Sequence, residues 1–158
     1  MKYTLATLLL LLPILMGAAC DQNSPSPLDG NQNPVTGNTE SMSDTLVIKI
    51  GSREFTATLL DNPTATAFMA ILPLTMNMTE LNGNEKYFDL SKSLPTNGSN
   101  PGKINTGDLL LYGSKTLVLF YKTFPTSYSY TKLGKIDNPI GLAEAVGSGN
   151  VVVTIELQ

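Results

Sequence analysis

The chain has 158 residues, with 10 basic and 13 acidic side chains and a formal net charge of −3. A mildly acidic chain without a basic run lacks the electrostatic footprint of a nucleic-acid-binding protein. It contains no histidine, no tryptophan and one cysteine, which excludes Ser–His and Cys–His catalysis and metal sites built on histidine. Any catalysis would have to rest on carboxylates, lysines, tyrosines or the single arginine, Arg53.

The first 20 residues have the pattern of a bacterial lipoprotein signal. Lys2 gives a positive start, residues 5–16 are almost entirely apolar, and small residues directly precede Cys20. This apolar stretch of roughly 15 residues is shorter than the roughly 20 that a membrane-spanning helix needs. The segment resembles a lipobox, at which the thiol is acylated and the preceding residues are removed. We therefore expect residues 1–19 to be a signal peptide and Cys20 to be lipidated; an ordinary secretory signal and a retained anchor are the alternatives.

The residues that follow predict a flexible tether. Residues 21–44 contain no aromatic side chain and are dominated by Pro, Gly, Asn, Ser and Thr. Such a segment cannot bury enough apolar surface to offset the entropy cost of ordering it. We predict that residues 20–44 link the lipid anchor to a domain of residues 45–158, over a typical span of about 25–30 Å. The expected location is the cell envelope, lipid-anchored on the periplasmic face or the outer surface of a bacterial membrane.

Most of the domain is predicted to be β-strand. Short alternating or β-branched stretches are separated by turns rich in Gly, Asn and Pro. The predicted strands cover residues 46–50, 54–59, 74–78, 86–90, 107–112, 116–122, 129–136 and 151–157. Strands of this number and length suit a small antiparallel barrel or sandwich. The apolar last strand needs a partner, because a bare edge of that kind would aggregate, and pairing with the first hairpin would close a barrel.

Two short helices are predicted near the ends of the domain, each preceded by Asp-Asn-Pro. In the first, Asn62 suits the N-cap and Pro63 the first helical position, where its missing N–H costs nothing. The second is predicted over residues 140–146, after Asp137-Asn138-Pro139, with Gly147 as its stop.

Five sequence blocks carry a family resemblance over residues 45–157. They are DNPTATAF, LPLTMNMTELNGNEKYFDL, PGKINTGDLLLYG, LVLFYKTFPTSYSYTKLGKID and GSGNVVVTIEL. These blocks resemble a family of small bacterial cyclophilin-like proteins. The resemblance implies a mostly β fold, a closed antiparallel eight-stranded β-barrel capped by two short helices. Domains of this family occur alone, behind lipoprotein signals or beside flavodoxin-like domains.

The resemblance to true cyclophilins concerns the fold, and a fold does not imply a function. Prolyl isomerases of that class use an arginine, a histidine, a tryptophan and several apolar or aromatic groups around the proline pocket. This chain has no histidine or tryptophan, and Arg53 does not align with the motif of the catalytic arginine. No catalytic residue can therefore be carried over.

Aromatic side chains are concentrated late in the chain. Six of the eleven lie between residues 112 and 130. Core packing with ordinary surface tyrosines is one explanation; the other is a shallow aromatic platform for a peptide or small organic ligand. The stretch 123–131 is likewise either a long hairpin loop or a binding loop. The candidate ligand-binding residues are Tyr112, Tyr121, Phe124, Tyr128, Tyr130 and Arg53, the last of which has an ordinary surface role as its alternative.

The acidic residues predict turns, not a metal site. Glu80, Glu85 and Asp89 surround the turn Asn82-Gly83-Asn84, but their spacing does not match a calcium-binding EF-hand loop. Gly147-Ser148-Gly149 follows a helix and precedes a strand, which reverses the order of a nucleotide-binding fingerprint. No catalytic residue, metal or cofactor is therefore predicted.

These observations favour a binding or interaction module for a peptide or small ligand, tethered to a membrane through Cys20. Nucleic acid is not an expected partner, and the oligomeric state is left open. Two alternatives remain: a peptidyl-prolyl isomerase-like activity with a non-standard site, and an accessory domain to a flavodoxin-like redox system.

Overall fold

The computed structural model describes residues 42–158, which form a mostly β domain. The predicted signal peptide, Cys20 and the tether as far as residue 41 lie outside the described residues. Neither helix of residues 42–158 is long and apolar enough to cross a membrane. The elements are β1 (Met42–Ile50), β2 (Arg53–Leu60), α1 (Pro63–Met69), β3 (Leu74–Leu81), β4 (Glu85–Asp89), β5 (Lys103–Ile104), β6 (Asp108–Tyr112), β7 (Thr116–Phe120), β8 (Phe124–Pro125), β9 (Thr131–Ile136), α2 (Leu142–Val146) and β10 (Val151–Leu157).

Eight of these strands form a closed antiparallel barrel, as the sequence predicted. Their order around the barrel is β1-β10-β3-β4-β7-β6-β9-β2, and β2 pairs back onto β1. The apolar last strand has a partner on both sides, since Ile155 lies opposite Ile48 of β1 and Leu74 of β3. Closure therefore leaves no free edge among the barrel strands.

The barrel interior is filled by alternate residues of the strands and by both helices. Leu109 and Leu111 of β6 and Leu117 and Leu119 of β7 point inward and are almost fully buried. From α1, Ala65 and Phe68 join this core, and from α2, Leu142 and Val146 do so. Burying a large apolar side chain contributes roughly 1.5–3 kcal/mol, so the two short helices are held mainly by this packing.

The two Asp-Asn-Pro sequences behave differently. Asn62 caps α1 as predicted, because its Oδ1 accepts a hydrogen bond from the Ala65 amide at 2.8 Å. The second helix starts later than predicted: α2 begins at Leu142, behind an N-cap Gly141 with φ of +79° and no side-chain cap. Asn138 instead accepts from the nearby Ile140 amide at 3.2 Å, which makes a turn. Gly147 ends α2 as predicted.

A small two-stranded sheet outside the barrel was not predicted. It pairs β5 with β8 through Lys103 with Pro125 and Ile104 with Phe124. Ile104 packs in a second apolar cluster together with Leu110, Val118, Phe120 and Tyr130. Leu110, Val118 and Phe120 alternate with the inward-facing residues of β6 and β7, so the cluster covers the outer face of the barrel wall.

The first strand begins at Met42, within the stretch predicted as tether. The domain was expected to start at Thr45, and the pairing of β1 with β2 shifts register between Met42 and Thr45. The regular ladder therefore starts where the alternating sequence starts, and the residues before it extend the strand irregularly.

Candidate functional site

The outer face of β4, β7 and β6 carries an aromatic groove. Tyr87 of β4 lies opposite Val118 of β7, and Tyr112 of β6 lies opposite Thr116 of β7. Because side chains alternate along a strand, all of these point away from the barrel interior. We call the depression the aromatic groove and define it by its aromatic lining, Tyr87, Tyr112, Phe124, Tyr128 and Tyr130.

The loop between β7 and β9 builds the second side of the groove. Phe124 packs on Phe120 with ring centroids 5.7 Å apart, and Tyr130 meets the same ring edge-on at 5.6 Å. Tyr112 in turn contacts Tyr130 at 5.7 Å and Tyr128 edge-on at 6.2 Å. The buried rings thus hold the loop in place, and the outer rings pack on them. The groove encloses about 280 Å³.

Two of the groove tyrosines are largely open to solvent. Tyr112 is 48% exposed and Tyr128 is 62% exposed, whereas Tyr130 beside them is only 7% exposed. Exposed aromatic rings next to a buried one form an apolar surface with hydroxyls at its rim. Such a surface suits recognition of an organic ligand, because large rings bury area with little loss of side-chain freedom.

Asn84 and Glu85 add polar atoms to the aromatic groove. Asn84 closes the turn at Asn82 and Gly83, which have φ angles of +56° and +69°, by donating its amide to the Leu81 carbonyl at 3.3 Å, and Glu85 begins β4. Both residues line the groove. The Oδ1 atom of Asn84 is buried and has no hydrogen-bond partner among the described residues. A buried acceptor without a donor costs stability.

Burial and charge both disfavour the ionised forms of two groups in this region. Burial, and then the charge of Glu80, raises the pKa of Glu85. Burial, and then the charge of Glu85, raises the pKa of Tyr130. No hydrogen bond or ion pair within residues 42–158 engages the Glu85 carboxylate. An uncompensated negative charge therefore faces a groove walled by aromatic rings.

A second polar cluster lies inside the barrel. Lys86 is fully buried, and its Nζ donates to the Glu80 carboxylate, to the Gly147 carbonyl at 2.9 Å and to the Gly149 carbonyl at 2.6 Å. The Tyr121 hydroxyl donates to the same carboxylate at 2.8 Å. Every donor of the ammonium group thus has an acceptor, as a buried charge requires.

The charges of this inner cluster stabilise one another. Burial alone would raise the pKa of Glu80, but hydrogen bonds from Lys86, Tyr121 and the Gly83 amide outweigh it and lower that pKa. For Tyr121, burial and the hydrogen bond to Glu80 raise the pKa to about 12. The cluster therefore fastens the loop between α2 and β10 to β4, and its polar atoms are already satisfied.

The sequence matches the cyclophilin-like family over residues 48–156, which is most of the chain. The chain belongs to this family. A solved structure, that of a hypothetical protein from Archaeoglobus fulgidus in solution, has the same fold. It is 20% identical, covers 76% of this chain and 99% of its own, and superimposes with a TM-score of 0.52. No curated protein matches the sequence significantly.

The cyclophilin-like barrel brings four of the predicted ligand residues together. Tyr112, Phe124, Tyr128 and Tyr130 all line the aromatic groove. Tyr121 does not, because it follows the outward-facing Phe120 and points into the barrel, where it joins Lys86 and Glu80. Phe120 and Tyr121 thus face opposite sides of the barrel wall, and the inward one is the candidate ligand residue.

Arg53 lies apart from the groove of the cyclophilin-like domain. Its Nη1 donates to the Gly141 carbonyl at 2.8 Å, and its neighbours in a different depression include Asp137, Asn138 and Ile140. The guanidinium lies so close to Gly141 that a Cβ there would collide with it. Arg53 thus has a structural role, because it positions the segment before α2.

Three groove residues of the cyclophilin-like domain were not predicted as ligand residues: Tyr87, Asn84 and Glu85. Glu85 and Tyr87 are two apart on β4 and flank the inward-facing Lys86. The sequence shows that Glu85 and Tyr87 share one face of β4. It does not show that this face is the outer one, because that follows only from the burial of Lys86. Residues 42–158 hold no group of three or more acidic or other metal-ligating side chains that could bind a metal ion.

Proposed function

We propose that this cyclophilin-like protein is a binding module, held at a bacterial membrane through lipidated Cys20, with the aromatic groove as its ligand site. The observation that carries the proposal is the pair of exposed tyrosines, Tyr112 and Tyr128, in a groove that also contains the Glu85 carboxylate. A ligand that covers these rings would remove exposed apolar area from water. The ligand is a small molecule or a peptide segment.

The groove offers recognition without reactive side chains. Its lining holds tyrosines, a phenylalanine, amides, aliphatic groups, a threonine and one carboxylate, Glu85. Lys86, which follows Glu85 and is fully buried, points into the barrel and has all its donors occupied. Binding therefore suits the groove better than isomerase-like catalysis, which would need a group to polarise the peptide bond.

The binding proposal is tested with a thermal-shift screen of small organic molecules and short peptides on the full-length protein in a mild detergent. Ligands should raise the melting temperature of the parent protein and of Ile140→Ala, which removes an exposed aliphatic side chain outside the groove. Tyr128→Ala should lose the shift, because its ring is 62% exposed and lines the groove. If every hit shifts Tyr128→Ala as it shifts the parent, the groove is not the ligand site.

The isomerase alternative can be settled with the same protein. Acceleration of proline isomerisation in a test peptide, well above the uncatalysed rate, would replace the binding module by an enzyme. We expect no acceleration, because the chain has neither the histidine nor the tryptophan of the prolyl isomerase pocket.

Membrane attachment is tested by Cys20→Ser in a bacterial host, with metabolic labelling by a fatty-acid analogue. The parent should incorporate the label and fractionate with membranes, because several acyl chains anchor a protein stably. The variant should remain unlabelled and leave the membrane fraction. Labelling of Cys20→Ser, or an unlabelled parent, contradicts the anchor.

A further inference from the structure

The geometry points to a small organic cation as the ligand of the aromatic groove. This inference deepens the proposed function and rests on it. Two independent properties of the groove support the assignment: its charge and its aromatic walls.

The charge of the groove is negative and uncompensated. Glu85 is the one ionisable carboxylate in its lining, which contains no lysine or arginine. Lys86, its chain neighbour, points to the opposite face of the sheet and donates to Glu80. A different depression, near β2 and β9, is lined by Lys103, Lys132 and Lys135 and has no aromatic residue. Of these two depressions, the aromatic groove is the one whose charge complements a cation.

Aromatic rings attract cations through the negative potential of their faces, and the attraction grows when the cation is desolvated. Tyr112 and Tyr128 meet edge-on, with their planes at 87°, so that they form two walls of a corner. Tyr130 and Tyr87 extend this lining toward Glu85 on the same outer face of the sheet. The aromatic rings and the Glu85 carboxylate thus line the same groove.

The size of the groove favours a small molecule. Its volume of about 280 Å³ is close to the lower end of small-molecule sites, at roughly 300 Å³. A one-ring ammonium such as benzylammonium matches this volume class and carries both the charge and an apolar part.

The test compares benzylammonium with benzyl alcohol, which has the same ring and no charge, by titration calorimetry on the full-length protein. Benzylammonium should bind the parent at least about tenfold more tightly. Glu85→Gln should remove most of that preference. Glu54→Gln is the matched control: Glu54 is an exposed carboxylate on β2 that lines a different depression. It should change the affinity less than about twofold.

Two further probes test the assignment. Benzyltrimethylammonium keeps the ring and the charge without an N–H donor and should also bind the parent more tightly than benzyl alcohol does, because aromatic rings attract an organic cation of either kind. If it binds no more tightly than benzyl alcohol, the assignment to an organic cation is overturned. A short peptide with one lysine presents the same group on a chain, and binding of the peptide alone would replace the small molecule by a protein partner.

The failure of this inference is distinct from that of the proposed function. If benzyl alcohol binds as well as benzylammonium and Tyr128→Ala abolishes both, the groove is a ligand site but not a cation site. If Glu85→Gln still binds benzylammonium more tightly than benzyl alcohol, the cation assignment is overturned as well, although the groove remains a ligand site. If no probe binds and no ligand of the thermal-shift screen depends on Tyr128, the groove itself is not a ligand site.

Discussion

Glu85 is a residue at which stability and binding oppose each other. Its carboxylate is partly buried, lies near the charge of Glu80 and has a raised pKa. A group with a raised pKa favours the folded state only while it is protonated, so its ionisation at neutral pH destabilises the fold. A ligand cation would reverse this effect.

We therefore predict that Glu85→Gln is slightly more stable than the parent at pH 7, by up to about 0.5 kcal/mol because solvent screens a partly exposed charge. The gain should shrink as the pH falls through the pKa of Glu85, since the parent then becomes neutral there as well. Urea unfolding at pH 7 and below pH 4.5 measures both. A loss of stability at pH 7 would show that the carboxylate has a stabilising partner.

Tyr121 makes the stability of the fold depend on pH in the alkaline range. Its pKa is raised from the ordinary value of 10.0 to about 12 by burial and by the hydrogen bond to Glu80. The unfolded chain releases this proton first, so the stability that Tyr121 contributes is complete below pH 10 and is lost as the pH rises toward about 12.

An absorbance titration of the tyrosines at alkaline pH tests this prediction. The parent should show a late phase near pH 12, and Tyr121→Phe should lack it. Tyr128→Phe, which removes a hydroxyl from an exposed ring, should keep it. A late phase that persists in Tyr121→Phe belongs to another residue.

Residue type alone could not place these side chains. Tyr121 looked equivalent to Tyr128 in the sequence, because both lie in the same aromatic stretch. Its partners, Glu80 and Lys86, are 41 and 35 positions away in the chain, and only the pairing of β3, β4 and β7 brings them together. The four outward residues were predictable because strand alternation and loop composition are local signals.

Among the elements, the two Asp-Asn-Pro sequences show that a local sequence signal does not always determine where a helix begins. Both offer an N-cap and a proline, yet only Asn62 caps a helix. At the second, Gly141 adopts a left-handed conformation, with its carbonyl bonded to Arg53 from 88 positions away, and the helix starts behind it. A tertiary contact outweighed the local preference there.

This difference predicts unequal costs for the same substitution. Asn62→Ala should destabilise the domain by about 1–2 kcal/mol, because it removes the cap of α1, and also the bond from Nδ2 to the Lys132 carbonyl at 3.0 Å. Asn138→Ala should cost less than about 0.5 kcal/mol, since it removes one exposed turn contact. Chemical unfolding of both variants measures the two values. Equal costs would mean that Asn138 supports α2 after all.

At the scale of the whole molecule, closure depends on a close approach of two strands. Gly134 of β9 lies against β2, where a Cβ would collide with the Thr58 carbonyl oxygen and lie 2.9 Å from the Leu59 Cα. Backbone atoms on a paired strand cannot move aside independently. The seam between β2 and β9 therefore requires glycine at this position.

Gly134→Ala should cost about 1–3 kcal/mol, the usual range for overpacking. Gly149→Ala is the matched control, because a Cβ there meets nothing within 4 Å, and its cost should stay under about 1 kcal/mol. Urea unfolding of the full-length protein provides the comparison. A neutral Gly134→Ala would mean that the strands can separate without loss.

The strand pattern of the sequence left two architectures open, a barrel and a sandwich, although the apolar last strand required a partner. The closed barrel followed from the family resemblance. The outer sheet of β5 and β8 could not be predicted, because each of its strands has only two residues, too few to show an alternating pattern. That sheet is stabilised by packing on Phe120 and Leu110, contacts that exist only in the folded barrel.

The ring order of the strands also decides from which side the groove is approached. β7, at the centre of the aromatic groove, is the fourth strand from β1 in either direction around the barrel. The chain enters the domain at Met42 of β1 and so arrives on the opposite wall. Residues 42–50 therefore leave the mouth of the groove uncovered, and a ligand can enter it without displacing the strand on which the domain begins.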